Sequence, residues 1–110
     1  MKDDRIYLQH IRDAINRILS YTASGRDAFL ANPQAQDAVI RNLEIIGEAV
    51  KHLSSELRQQ HPDIPWKQIA GMRDEMIHEY FGVDVNIVWK VIERHIPTLS
   101  QKINSLLGDA

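Results

Sequence analysis

Six apolar residues, Ala35, Val39, Leu43, Ile46, Val50 and Leu53, follow one another at steps of four, four, three, four and three. That rhythm keeps them on one side of an α-helix and scatters them over both faces of a strand, so it commits this stretch to a helix with a buried seam. The predicted helix opens at Asn32-Pro33, a capping residue followed by proline at the first helical position, and runs to about Gln60. The same period recurs from about Asp3 to Tyr21 through Tyr7, Ile11, Ala14, Ile18 and Tyr21, with Asp3 and Asp4 suited to the helix start. Between the two, "TASGRDAFLANP" offers a glycine break and a short helical turn holding Phe29 and Leu30.

Proline and glycine place the remaining boundaries. "HPDIP" stops the long helix and starts a third, from about Trp66 to Tyr80. Gly82 ends that one, Asp84 caps a helix carrying Val88, Trp89, Val91 and Ile92, and Pro97 opens a last one through Leu99, Ile103 and Leu106. No stretch alternates with period two. The fold class expected is therefore all-α: an antiparallel bundle of four long helices and one short helix, in a single domain over residues 1–110.

Composition narrows the function classes. Without cysteine there is neither a disulfide frame nor a thiolate metal site. The five histidines, His10, His52, His61, His78 and His95, have no ligand-like spacing on one helix, so no metal and no cofactor is expected. "MKDDRIYLQH" lacks the apolar segment of a signal or anchor, and a cytoplasmic protein with no membrane partner is expected. A net charge of −2 argues against a broad surface for nucleic acid, so any RNA contact has to be local.

The third helix holds the chemistry. With Arg73 set at zero and about 100° per residue, Ile69, Met76, Ile77 and Tyr80 all fall within about 60° of it. Arg73 thus shares the apolar stripe, where a guanidinium needs a carboxylate, a phosphate or carbonyls around it. One reading is structural: an internal ion pair to Glu44 or Glu48, with His78 and Tyr80 as ordinary core-edge residues. The other is catalytic. Histidine exchanges protons near neutral pH and arginine presents a fixed fork to phosphate oxygens, so the pair suits attack of a ribose 2′-hydroxyl on its neighbouring phosphate. RNA would then be the substrate and DNA immune. Arg73 and His78 stand about 140° apart in projection, so a two-fold homodimer, which brings both copies to one cleft, is expected to complete the site.

"RDEMIHEY" resembles the R-x4-H-x-Y motif of the HepT-like toxins, a branch of the HEPN superfamily of small α-helical ribonucleases. "RNLEIIGEAVKHLS" at 41–54 resembles that family's second-helix signature, and "PWKQIAGMRDEMIHEYFGVDVNIVWKVI" at 65–92 its third and fourth helices. The resemblance implies an endoribonuclease with Arg73 and His78 as the catalytic pair, and transfer RNA as a candidate substrate. Asp74 would orient the histidine or help shape the site. The residues themselves read Arg41, Glu44, Glu48 and Lys51 most simply as a solvated face with ion pairs, with holding the motif arginine a second role open to either glutamate. Many relatives have asparagine at the position of Asp74, and an acid there either repels phosphate or hydrogen-bonds His78. The resemblance further implies that an MNT-type nucleotidyltransferase antitoxin attaches AMP to Tyr80 and silences the toxin, since an added phosphate beside Arg73 would occupy the substrate's place. The alternative, from another class, is a non-catalytic helical module that dimerises and binds a nucleotidyltransferase or a nucleotide.

Overall fold

A computed structural model describes residues 4–77 and 84–108, with residues 72–77 described by their backbone. Every regular element among the described residues is an α-helix, seven in all: α1 (Asp4–Tyr21), α2 (Arg26–Leu30), α3 (Pro33–Lys51), α4 (Ser55–Gln60), α5 (Trp66–Ile77), α6 (Val85–Arg94) and α7 (Ile96–Leu107). The all-α antiparallel bundle expected from the sequence is the fold observed.

The α3 seam is buried along its whole length, from Ala35 to Val50, and Leu53 is buried just past the helix end. Asn32 caps α3 by accepting from the Ala35 amide at 3.2 Å, with Pro33 in the first turn. α1 presents Leu8, Ile11, Ala14, Ile15 and Ile18 to it. Tyr7 sits at the core edge and Tyr21, expected in the stripe, is 44% exposed. α1 packs on α3 and α7, α3 on α5, and α6 on α7, while α2 closes the end near α3 and α6. There Phe29 is buried against Trp89 with ring centroids 5.5 Å apart. Gln36 of α3 also donates to the Leu30 carbonyl, which the end of α2 leaves open, and to the Phe29 carbonyl, which accepts from the Asn32 amide as well.

The long second helix is shorter than its spacing predicts. α3 stops at Lys51, and a new helix starts because Ser54 caps it, its Oγ accepting from the Leu57 amide at 3.1 Å. Asp4, at the start of the neighbouring α1, fixes this break. Its carboxylate accepts from the Ser54 amide at 2.8 Å and from the Ser54 hydroxyl at 2.6 Å. Burial alone would raise the Asp4 carboxyl, yet hydrogen bonds, those from Ser54 foremost, outweigh it and hold the group below its ordinary value. The last two helices start as the sequence predicts, α6 after Asp84 and α7 with Pro97 in its first turn. Asp84 caps α6 by accepting from the Asn86 amide at 2.9 Å, and α7 ends at Gly108, whose φ of 79° is left-handed.

Candidate functional site

Of the site expected from the sequence, the Arg73 and Asp74 backbone lies on α5, and the start of that helix is firmly anchored. Trp66 is buried and donates from Nε1 to the His61 carbonyl at 3.0 Å, and Ile69, one turn on, is buried as well. These two contacts set the roll of α5. Arg73 follows Ile69 by four residues and Ala70 by three, so by register its backbone continues the turn that faces α3.

How near α5 comes to α3 is decided at Gly47. A Cβ built there would lie 3.3 Å from both the Ile69 and the Ala70 carbonyl oxygens, closer than side chains ordinarily pack against backbone. The two helices therefore touch backbone to backbone at this point. Arg73 and Asp74 follow one turn further along α5 from this crossing.

Beside the crossing runs a groove of about 410 Å³, lined by Arg41, Glu44, Gly47, Glu48, Lys51 and Ala70 among others. Glu44 is half-buried there, and Glu48 is exposed. The structure thus brings together Glu44 and Glu48, the two carboxylates expected to hold the motif arginine, on the α3 wall beside α5. The groove carries both signs of charge, with two glutamates flanked by Arg41 and Lys51 along α3. The expected ion pair of Arg73, the setting of the Asp74 side chain, and the placements of His78 and Tyr80 lie outside the described residues.

Two other histidines have packing roles. His52, the residue that ends α3, stacks on Tyr7 with centroids 4.9 Å apart, and His10 meets the edge of the same ring at 5.8 Å. Sequence reasoning missed Gly47. Its signal was a glycine in the interior of a long apolar-periodic helix, a placement disfavoured by about 1 kcal/mol relative to alanine unless a close approach requires it.

The sequence model of the family described as "Ribonuclease HepT-like" matches residues 11–106, from α1 through the groove helices to the last turn of α7. The chain belongs to this HepT-like family. A Thermococcus cleftensis protein named "Probable ribonuclease HepT" is 46% identical over 101 residues, which cover 91% of this chain and 92% of that one. A candidate RNase of Caldanaerobacter subterraneus subsp. tengcongensis is 44% identical over 108 residues, 97% of this chain and 96% of the relative. A third relative, from Methanocaldococcus jannaschii, is named as a gamma-glutamylcyclotransferase and candidate RNase, and is 46% identical over 109 residues. This HepT-like chain, 98% of which is covered, spans about half of that protein, 49% of its length. No solved structure matches the chain at a significant level. No described helix is long and apolar enough to cross a membrane.

Proposed function

We propose that the chain is the toxin of a HepT/MNT-type pair, a metal-independent endoribonuclease acting through Arg73 and His78 and silenced by AMP attached to Tyr80. The observation that carries this reading is the HepT-like family match, which spans the R-x4-H-x-Y segment on and after α5. In the proposed reaction the ribose 2′-oxygen bonds to the adjacent phosphorus as the bond to the leaving oxygen breaks. His78 exchanges the proton that this displacement releases or requires, and Arg73 meets the charge that builds on the phosphoryl oxygens. Glu44 holds the arginine fork in the groove and Glu48 supports it from the rim. Asp74 orients His78. A homodimer joins two such helices across a two-fold axis, so that each copy's arginine and histidine serve a shared cleft. RNA, with transfer RNA the first candidate, is the substrate; DNA lacks the attacking hydroxyl.

A nucleotidyltransferase antitoxin acts as the off switch. Nucleotide attached to Tyr80 places a phosphate beside Arg73 and competes with the substrate's own.

Expression of the intact chain and of His78→Ala, each without a partner, tests the catalytic half. The intact protein is expected to arrest growth and cut RNA while the variant does neither. An intact protein that is harmless and leaves RNA whole refutes the ribonuclease and favours the non-catalytic interaction module.

A further inference from the structure

A second cleft, of about 460 Å³, opens on another side of α5, between the start of that helix and the joint of α6 with α7. Its floor is apolar, with Ile69, Ile96 and Leu99 among the residues that line it. Its rim is basic: Arg94, His95 and Lys102 line it and no carboxylate does, in a chain whose net charge is −2. Arg94 is exposed and, among the described residues, makes no hydrogen bond or ion pair. Lys102 is held in place, donating to the Asp63 carbonyl at 3.0 Å and pairing with its carboxylate at 3.3 Å. One of the three ammonium hydrogens is left over. The first turn of α7 and the last turn of α6 border the same space, so their opposite helix-end partial charges offset and the side chains set the sign of the rim.

We infer that this cleft is a subsite for an RNA strand, seating a nucleotide that flanks the one being cut. The complementarity is twofold. An apolar floor takes the face of a base, and the cations at the rim, Arg94 above all, take the phosphates on either side. Its place in the fold is right for this. Ile69 lines the cleft, and Arg73 follows it by one turn of α5, about 6 Å along the helix axis, against about 3.4 Å between stacked nucleotides of one strand. By rise alone the candidate catalytic turn lies one turn of α5 beyond the cleft, on the side of the helix toward α3. The Asp63 carboxylate tempers the subsite, because it neutralises Lys102 and repels phosphate.

The inference rests on the ribonuclease reading for its substrate, and the experiment reads binding apart from cleavage. A fluorescent ten-nucleotide RNA blocked as 2′-O-methyl, and so uncleavable, is titrated with the full chain. Arg94→Ala is expected to weaken binding about five- to tenfold and to make the salt dependence shallower by about 0.7 in log–log slope, one phosphate contact on a single strand. Arg94→Glu, which reverses the charge at an exposed position, weakens it further. Asp63→Asn keeps the backbone carbonyl that holds Lys102 and removes the competing charge, so binding tightens about two- to fivefold. Wild-type affinity in Arg94→Ala, weaker binding in Asp63→Asn, or displacement of the RNA by poly-glutamate at equal charge concentration overturns the subsite. If the intact chain binds RNA with these responses but cuts none, the subsite stands and the ribonuclease reading falls; if it cuts RNA and Arg94→Ala binds normally, the reverse holds.

Discussion

Gly47 of α3 lies close against the backbone of Ala70 in α5, since a Cβ at residue 47 would stand 3.3 Å from the Ala70 carbonyl oxygen, a tighter contact than side chains ordinarily make. Arg73 follows Ala70 by three residues on a helix whose roll is already set by buried Trp66 and Ile69. The distance between α3 and the candidate catalytic turn is therefore governed by an atom that glycine lacks.

Gly47→Ala sets two effects against each other. Alanine is favoured over glycine in a helix by about 1 kcal/mol. Its methyl group nevertheless presses on two carbonyl oxygens, and α5 has to yield by a few tenths of an ångström. Thermal unfolding is expected to change by only a few degrees, whereas RNA cleavage falls about three- to tenfold as the helix carrying Arg73 shifts. Gly47→Val overfills the crossing and loses about 1–3 kcal/mol. Melting curves and cleavage rates measured on the same preparations check both expectations; unchanged cleavage in Gly47→Ala would show that the crossing does not position the site.

The Asp4–Ser54 link makes stability depend on acid pH. Because the Asp4 carboxyl in the folded chain lies below its ordinary value of 3.8, the stabilisation is complete above that value and fades as pH falls through the lowered one. At neutral pH, Asp4→Asn is expected to lose about 1–2 kcal/mol, the worth of two hydrogen bonds to a charged acceptor offset by those the amide keeps. The gap between variant and wild type should close below about pH 4. Ser54→Ala removes the cap of α4 as well, and a double-mutant cycle with Asp4→Asn is expected to be non-additive because the two side chains share one bond. Denaturant titrations at pH 7 and pH 3 provide the comparison.

Arg73→Lys retains the charge and forfeits the planar fork. If Arg73 meets the phosphoryl oxygens in the transition state, kcat falls by about 10- to 100-fold with a smaller change in KM. Equal activity in the two proteins would assign Arg73 to structure alone.

Tyr80→Phe separates the antitoxin's action from the reaction itself. Co-expressed with a nucleotidyltransferase partner, the variant is expected to remain toxic and to show no added nucleotide by intact-mass measurement, while the parent chain gains mass and becomes harmless. A variant still labelled and silenced rules out Tyr80 as the acceptor.

Apolar periodicity was enough to determine the helices, because a seam such as Val39, Leu43, Ile46 and Val50 has only one way to be buried at once. Local chemistry was enough for most helix ends, since Asn32, Pro33 and Asp84 act on amides within three residues of themselves. The R-x4-H-x-Y motif was likewise legible as a string, and the family match covers it. What the tertiary structure alone decided involves partners distant in the chain. The break after Lys51 depends on Asp4, fifty residues away, reaching the Ser54 cap. The approach of α5 to α3 depends on Gly47 meeting carbonyls whose direction belongs to another helix. The basic cleft joins Lys102 of α7 to Asp63 before α5, a pairing of exposed charges with no periodic trace in the sequence. Period and capping are local and can be counted along one strand of text, whereas close approach and charge pairing are properties of surfaces that exist only once the helices have packed.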